Sequence, residues 1–112
     1  MNLLGISVFP TGPGKVQVDL IPENPDALTK VAKKIGLNLA PPKCAFLIQG
    51  TDRPGAMAEV LGRLGNAKIN TRATIGLAGG GNRYGGVIWV AQSDVEAAAR
   101  ALGAIAMATH HV

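Results

Sequence analysis

The sequence predicts an α+β fold, a two-layer α/β sandwich in which helices cover a sheet, and two patterns carry that expectation. Apolar residues recur at i, i+3, i+4 and i+7 in three places: Leu28, Val31, Ala32 and Ile35; Met57, Val60, Leu61 and Leu64; and Val95, Ala98, Ala99 and Leu102. Between these stretches the chain alternates apolar and polar residues with period two, the mark of half-buried strands. Three helices that each bury one stripe need a common surface, and a sheet supplies it.

Taken in order, Leu4, Ile6 and Val8 alternate with Gly5 and Ser7, and Val16, Val18 and Leu20 alternate with Lys15, Gln17 and Asp19. Thr11-Gly12-Pro13-Gly14 makes the turn between these two strands. The first helix follows and is expected to stop at Gly36. An apolar strand from Cys44 to Ile48 leads into the second helix, with Gly65 as its expected stop. Ile69, Thr71, Ala73, Ile75 and Leu77 form one face of a long strand whose other face carries Asn70, Arg72, Thr74 and Gly76. The glycine-rich run from Gly79 to Gly85 connects it to a buried strand, Gly86 to Ala91. That run joins strand to strand, whereas a phosphate loop must deliver its amides to a helix start, so it reads as a hairpin tip. The third helix stops at Gly103, and a last strand is expected from Ala104 to Ala108.

At 112 residues and 47% hydrophobic content, the chain is expected to form one domain with a real core. No apolar run approaches the roughly 20 residues of a membrane-spanning helix, and the N-terminus lacks the basic region of a signal peptide, so a cytoplasmic protein without membrane contact is expected. The single Cys44 cannot form an internal disulfide and reads as a small core residue. A net charge of +4 raises the question of nucleic acid. The basic residues are scattered, however, with only Lys30, Lys33 and Lys34 on one helix face, and the four aromatics Phe9, Phe46, Tyr84 and Trp89 do not interleave with them. No nucleic-acid partner is expected.

Catalysis would need a nucleophile with its base, a carboxylate pair or a metal cluster, and no HxxxH, CxxC or Ser-His-acid spacing is present. His110 and His111 are adjacent near the C-terminus, where chain ends fray, and are expected to be solvent-exposed rather than metal ligands. The expectation is therefore no enzyme, no cofactor and no metal.

The candidate site is the junction Gly50-Thr51-Asp52-Arg53-Pro54-Gly55-Ala56, where the apolar strand turns into the second helix. Pro54 suits the first helical position, and Gly55 would leave the amides of Ala56 and Met57 uncovered. Such amides, with the helix dipole behind them, hold carboxylate or phosphate. Asp52 brings the opposite charge to the same mouth, so the site suits a zwitterion. The structural alternative is that Asp52 only caps the helix and Gly55 only packs closely.

Residues 48–70 closely resemble the first half of an ACT domain: an apolar strand, then Asp52-Arg53-Pro54-Gly55-Ala56-Met57-Ala58-Glu59-Val60-Leu61, then Lys68-Ile69-Asn70 entering the next strand. With the following strands and the third helix, the resemblance spans residues 44–108 and implies a βαββαβ, ferredoxin-like domain. Residues 1–40 resemble the second half, strand-strand-helix, of a preceding ACT repeat. The helix spacing Leu28, Val31, Ala32, Ile35, Gly36 recurs 67 residues later at Val95, Ala98, Ala99, Leu102, Gly103.

The resemblance implies a regulatory module that binds an amino acid or another small metabolite at an interface between domains. The ligand would contact Gly50, Thr51, Asp52, Arg53, Pro54, Gly55 and Ala56, with Asn70 at the start of the next strand. An Asn amide can donate to a carboxylate and accept from an ammonium. A homodimer is also expected from packing, because the open sheet face would carry Phe9, Ile21 and parts of Val87 to Val90. A module that only pairs subunits or docks to a metabolic enzyme is the competing expectation.

Overall fold

The computed structural model describes residues 1–111 and is an α+β protein of six strands and three α-helices among those residues. The strands are β1 Leu3–Gly12, β2 Lys15–Pro22, β3 Lys43–Thr51, β4 Thr71–Gly80, β5 Arg83–Val90 and β6 Met107–His111. The helices are α1 Pro25–Ile35, α2 Ala56–Asn66 and α3 Val95–Leu102. Each strand pairing in the two units described below is antiparallel. The chain divides into two compact units, Met1–Lys43 together with the chain from Ala108 on, and Cys44–Met107.

In the first unit, β1 and β2 form a hairpin turned by Pro13 and Gly14, and β6 pairs with β2 through Asp19 opposite His111 and Leu20 opposite His110. The expected last strand therefore begins three residues later than the sequence suggested. His110, expected at the surface, is buried in β6, with its Nδ1 3.4 Å from the Ala40 carbonyl. Pairing with β2 anchors the segment that terminal position alone marked as frayed. Asn24 caps α1 by accepting from the amides of Asp26 and Ala27, and Pro25 starts the helix. Gly36 closes it in the left-handed conformation.

The apolar stripes of this unit are only half used. Leu28 and Ala32 of α1 are buried, but Val31 and Ile35 are exposed, as are Leu4, Ile6, Val8 and Val16 of the hairpin. Alternation fixes which side chains share a face; it does not say whether that face is covered. Ile21, expected on an open face, is instead 2% exposed, while Phe9 does remain exposed.

The second unit holds the larger core. Phe46 of β3 and Ile88 of β5, both fully buried, pack with Val60 and Leu64 of α2, Ile69, Val90, and Ala98 and Leu102 of α3. The strand order is β3-β5-β4, with Ala45 opposite Trp89 and Thr51 opposite Arg83, and Thr71 opposite Val90 on the far side. Trp89 is buried, and Cys44 is partly buried.

One of the next two helix ends follows expectation and the other differs from it. Gly103 ends α3 in the left-handed conformation, and the Ala104 amide reaches back to the Ala99 carbonyl, as anticipated. In α2, by contrast, Gly65 does not stop the helix, which runs to Asn66. Lys68 takes the left-handed conformation with φ 60°, and the Ile69 amide bonds the Leu64 carbonyl. Closing the helix two residues later lets Ile69 drop into the core beside Leu64. Ile69 thereby precedes β4 instead of belonging to it, and every residue of β4 from Thr71 to Gly80 is exposed. No helix among the described residues is long and apolar enough to cross a membrane.

Candidate functional site

The junction after β3 is built differently from a simple capped helix. Gly55, not Asp52, occupies the N-cap position, with φ 82°, and no side chain caps the first turn. Pro54 consequently sits two residues ahead of the first helical residue instead of at it. The Ala56 amide, expected to be free, bonds the Arg53 carbonyl at 3.2 Å, so Arg53 to Ala56 close a tight turn. Met57 and Ala58 then occupy the second and third helical positions, whose amides have no partner within a helix.

Asp52 is freed by this arrangement. Its backbone amide donates to the Asn82 carbonyl at 2.9 Å, which ties the tip of the β4–β5 hairpin to the turn, and its side chain is exposed. The tip bends through three consecutive left-handed residues, Gly80, Gly81 and Asn82. The glycine-rich run is thus the hairpin expected from its sequence, and it borders the turn directly.

A cleft of about 330 Å³ opens between this turn and β4, lined by Asp52, Arg53, Gly55, Ala56, Met57 and Ala58 on one side and by Gly76, Leu77, Ala78 and Tyr84 on the other. Its size lies at the lower end of small-molecule sites. Met57 forms part of the lining because the sheet has no side chains beneath it. A Cβ on Gly86 would meet Met57 Sδ at 3.1 Å, and one on Gly76 would meet its Cγ at 3.3 Å. Gly50 likewise lies under the Tyr84 ring, where a Cβ would come within 2.9 Å of Cε1. Leu77 and Tyr84 were not among the residues the sequence singled out for the site, and of Met57 only the backbone amide was. Tyr84 reaches the turn through the pairing of β5 with β3, where it faces Gly50, and Leu77 through the pairing of β4 with β5.

Of the sequence-derived set, Asp52, Arg53, Gly55 and Ala56 line the cleft. Gly50 shapes it through Tyr84, and Thr51 and Pro54 are exposed beside it. Asn70 is elsewhere. Asp52 follows Thr51, which faces Arg83, whereas Asn70 precedes Thr71, which faces Val90. At about 3.3 Å per residue along β5, the two ends of the sheet are ~20 Å apart, too far for one small ligand to touch both within a single chain.

Charge around the turn is organised by Glu59. Its carboxylate bonds the Arg53 guanidinium through Oε2 and accepts from Arg63 Nη2 at 3.4 Å through Oε1. The Arg53 hydrogen bond first, and its charge second, hold the Glu59 carboxyl below the ordinary glutamate value. Arg53 is thereby drawn along α2 and leaves Asp52 without an arginine partner.

Among the described residues, no group of three or more His, Cys, Asp and Glu side chains could hold a metal ion. A comparison with protein-family models returns no match, and a comparison with curated proteins also returns none.

Proposed function

We propose that this chain is a regulatory module that binds a small molecule, an amino acid by preference, at an interface between two copies, with no catalysis of its own. The carrying observation is that Asp52 is not spent on capping its helix. Its carboxylate is exposed and lines a cleft whose opposite electrostatic element is the start of α2. A carboxylate acceptor for an ammonium and free helix amides for a carboxylate suit a zwitterion better than a simple anion or cation.

The ACT reading of residues 44–108, a ferredoxin-like βαββαβ unit, is supported by the order β3-β5-β4 with α2 joining β3 to β4. It also accounts for the distance between Asp52 and Asn70. β4 pairs with β5 along one edge and is exposed throughout its length. If two copies pair their β4 edges antiparallel, the Asn70 end of one strand meets the Asp52 end of the other, and two equivalent sites form about a two-fold axis. The setting we propose is the cytoplasm, where a lone thiol such as Cys44 stays reduced.

A second reading has its own observation. Ile75 and Leu77 on β4 are 44% and 71% exposed, so this edge could serve only to pair subunits or to dock a metabolic enzyme. Titration calorimetry against the common amino acids, with Asp52→Ala and Asn70→Ala as controls, separates the two. A ligand whose heat disappears in both variants supports the sensing module. A stable dimer giving no heat with any amino acid leaves the docking module in its place.

A further inference from the structure

The Arg53 turn borders a second cleft, of about 360 Å³, with a lining different in kind from the first. Arg53, Glu59 and Arg63 form its ionic side, and Ile48, Val60 and Leu102 supply apolar surface. Two guanidinium groups share one carboxylate here, which leaves one positive charge uncompensated beside that surface. The pairs are unequal. Arg53 holds Glu59 closely, whereas Arg63 reaches the other oxygen at a long 3.4 Å and its side chain is 51% exposed.

We propose that this groove binds a small organic monocarboxylate with an apolar body, its carboxylate on Arg63 and its body against Ile48, Val60 and Leu102. A guanidinium offers a carboxylate two parallel donors, and the weak tether to Glu59 is the one a ligand can displace while Arg53 and Glu59 stay joined. The only acidic side chain in the lining is Glu59, already engaged by two arginines, so the groove offers no free carboxylate to an ammonium. It therefore selects against amino acids, the ligands suited to the Asp52 cleft.

Benzoate is the probe, with benzamide as its uncharged isostere, followed by amide proton–nitrogen correlation spectra of the full chain. Saturable shifts with benzoate at Glu59 to Arg63 and at Leu102 to Ala104, absent with benzamide, are expected. Arg63→Ala should weaken benzoate by about tenfold or more, the worth of one charge-assisted contact, and Glu59→Gln, which releases Arg63, should tighten it. Arg63 is exposed, so its variant is expected to fold, and a thermal melt verifies that. Non-saturating shifts in the wild-type chain, or benzoate binding by Arg63→Ala as tight as by wild type, would overturn the proposal. Asp52→Ala removes the amino acid site and should leave benzoate binding unchanged, so the two sites can fail separately.

Discussion

The backbone amide of Asp52 donates to the carbonyl of Asn82 at 2.9 Å, joining the turn that starts α2 to the tip of the β4–β5 hairpin. The contact uses main chain on both sides, so it leaves the Asp52 carboxylate free. A substitution at Asp52 can therefore test chemistry without disturbing architecture. Asp52→Ala is expected to change unfolding free energy by no more than about 0.5 kcal/mol, as for a surface side chain without a capping role, while abolishing amino acid binding. Urea denaturation read beside calorimetry checks both halves, and a loss of stability like that of a missing cap would contradict the description of the turn.

Gly55 carries the architectural burden instead. At φ 82° a Cβ is strained even though nothing lies within 4 Å of it. Gly55→Ala should cost about 1–2 kcal/mol, the price of a left-handed L-residue. Lys68, at φ 60°, is the converse case: Lys68→Gly should add up to ~1 kcal/mol, because the helix then ends on the residue that its closing geometry favours. Chemical denaturation of the two variants should move in opposite directions.

The sheet under Met57 tolerates no added bulk. A Cβ on Gly86 would lie 3.1 Å from the Ile75 carbonyl oxygen as well as from Met57, so Gly86→Ala should cost about 1–3 kcal/mol by overpacking. Gly62, inside α2 with open space around it, is the control, and Gly62→Ala should gain about 0.5–1 kcal/mol in helix propensity.

Glu59 gives the stability a pH dependence of defined sign. Its carboxyl is held below the ordinary value, with the Arg53 hydrogen bond as the largest cause. The contribution is therefore fully present above the unfolded-state value and is lost as pH falls through the lower folded-state value. The melting temperature of wild type minus that of Glu59→Gln should shrink across that acidic window. The pair is about half exposed to solvent, so the difference should be small and should fade in high salt. A difference that grows on acidification would contradict the pairing.

The exposed β4 edge predicts the oligomer. Leu77→Lys places a charge on a strand that would otherwise pair with a second copy, a device by which natural edges avoid association. Sedimentation should show a dimer for wild type and a monomer for the variant, with little change in the monomer's own stability because Leu77 is already 71% exposed.

Much of the fold was legible in the residues. The 3.6-residue stripes located all three helices, and Gly36 and Gly103 closed two of them as expected, because a left-handed residue that ends a helix is a local matter. Gly65 misled for the opposite reason: Ile69 had to reach the core beside Leu64, and that long-range demand carried α2 on to Asn66. The exposed side of the β1–β2 hairpin and the burial of His110 were equally invisible, since period two assigns side chains to faces but pairing decides which faces are covered.

The candidate site divides along the same line. The residues of the Asp52 turn are contiguous, and their chemistry of an acid, a proline and a glycine can be read directly from the sequence. Tyr84, Leu77 and the bare glycines at 76 and 86 join the turn only through strand pairing. Asn70 was associated with the turn by resemblance, yet antiparallel register sends it to the far end of the sheet. Sequence by itself thus determined the local conformations and the functional groups on offer, because these depend on neighbours along the chain. Which groups meet, and that Asp52 stands free while Gly55 shapes the turn, was decided by tertiary structure, because hydrogen-bond register and packing act between residues far apart in sequence.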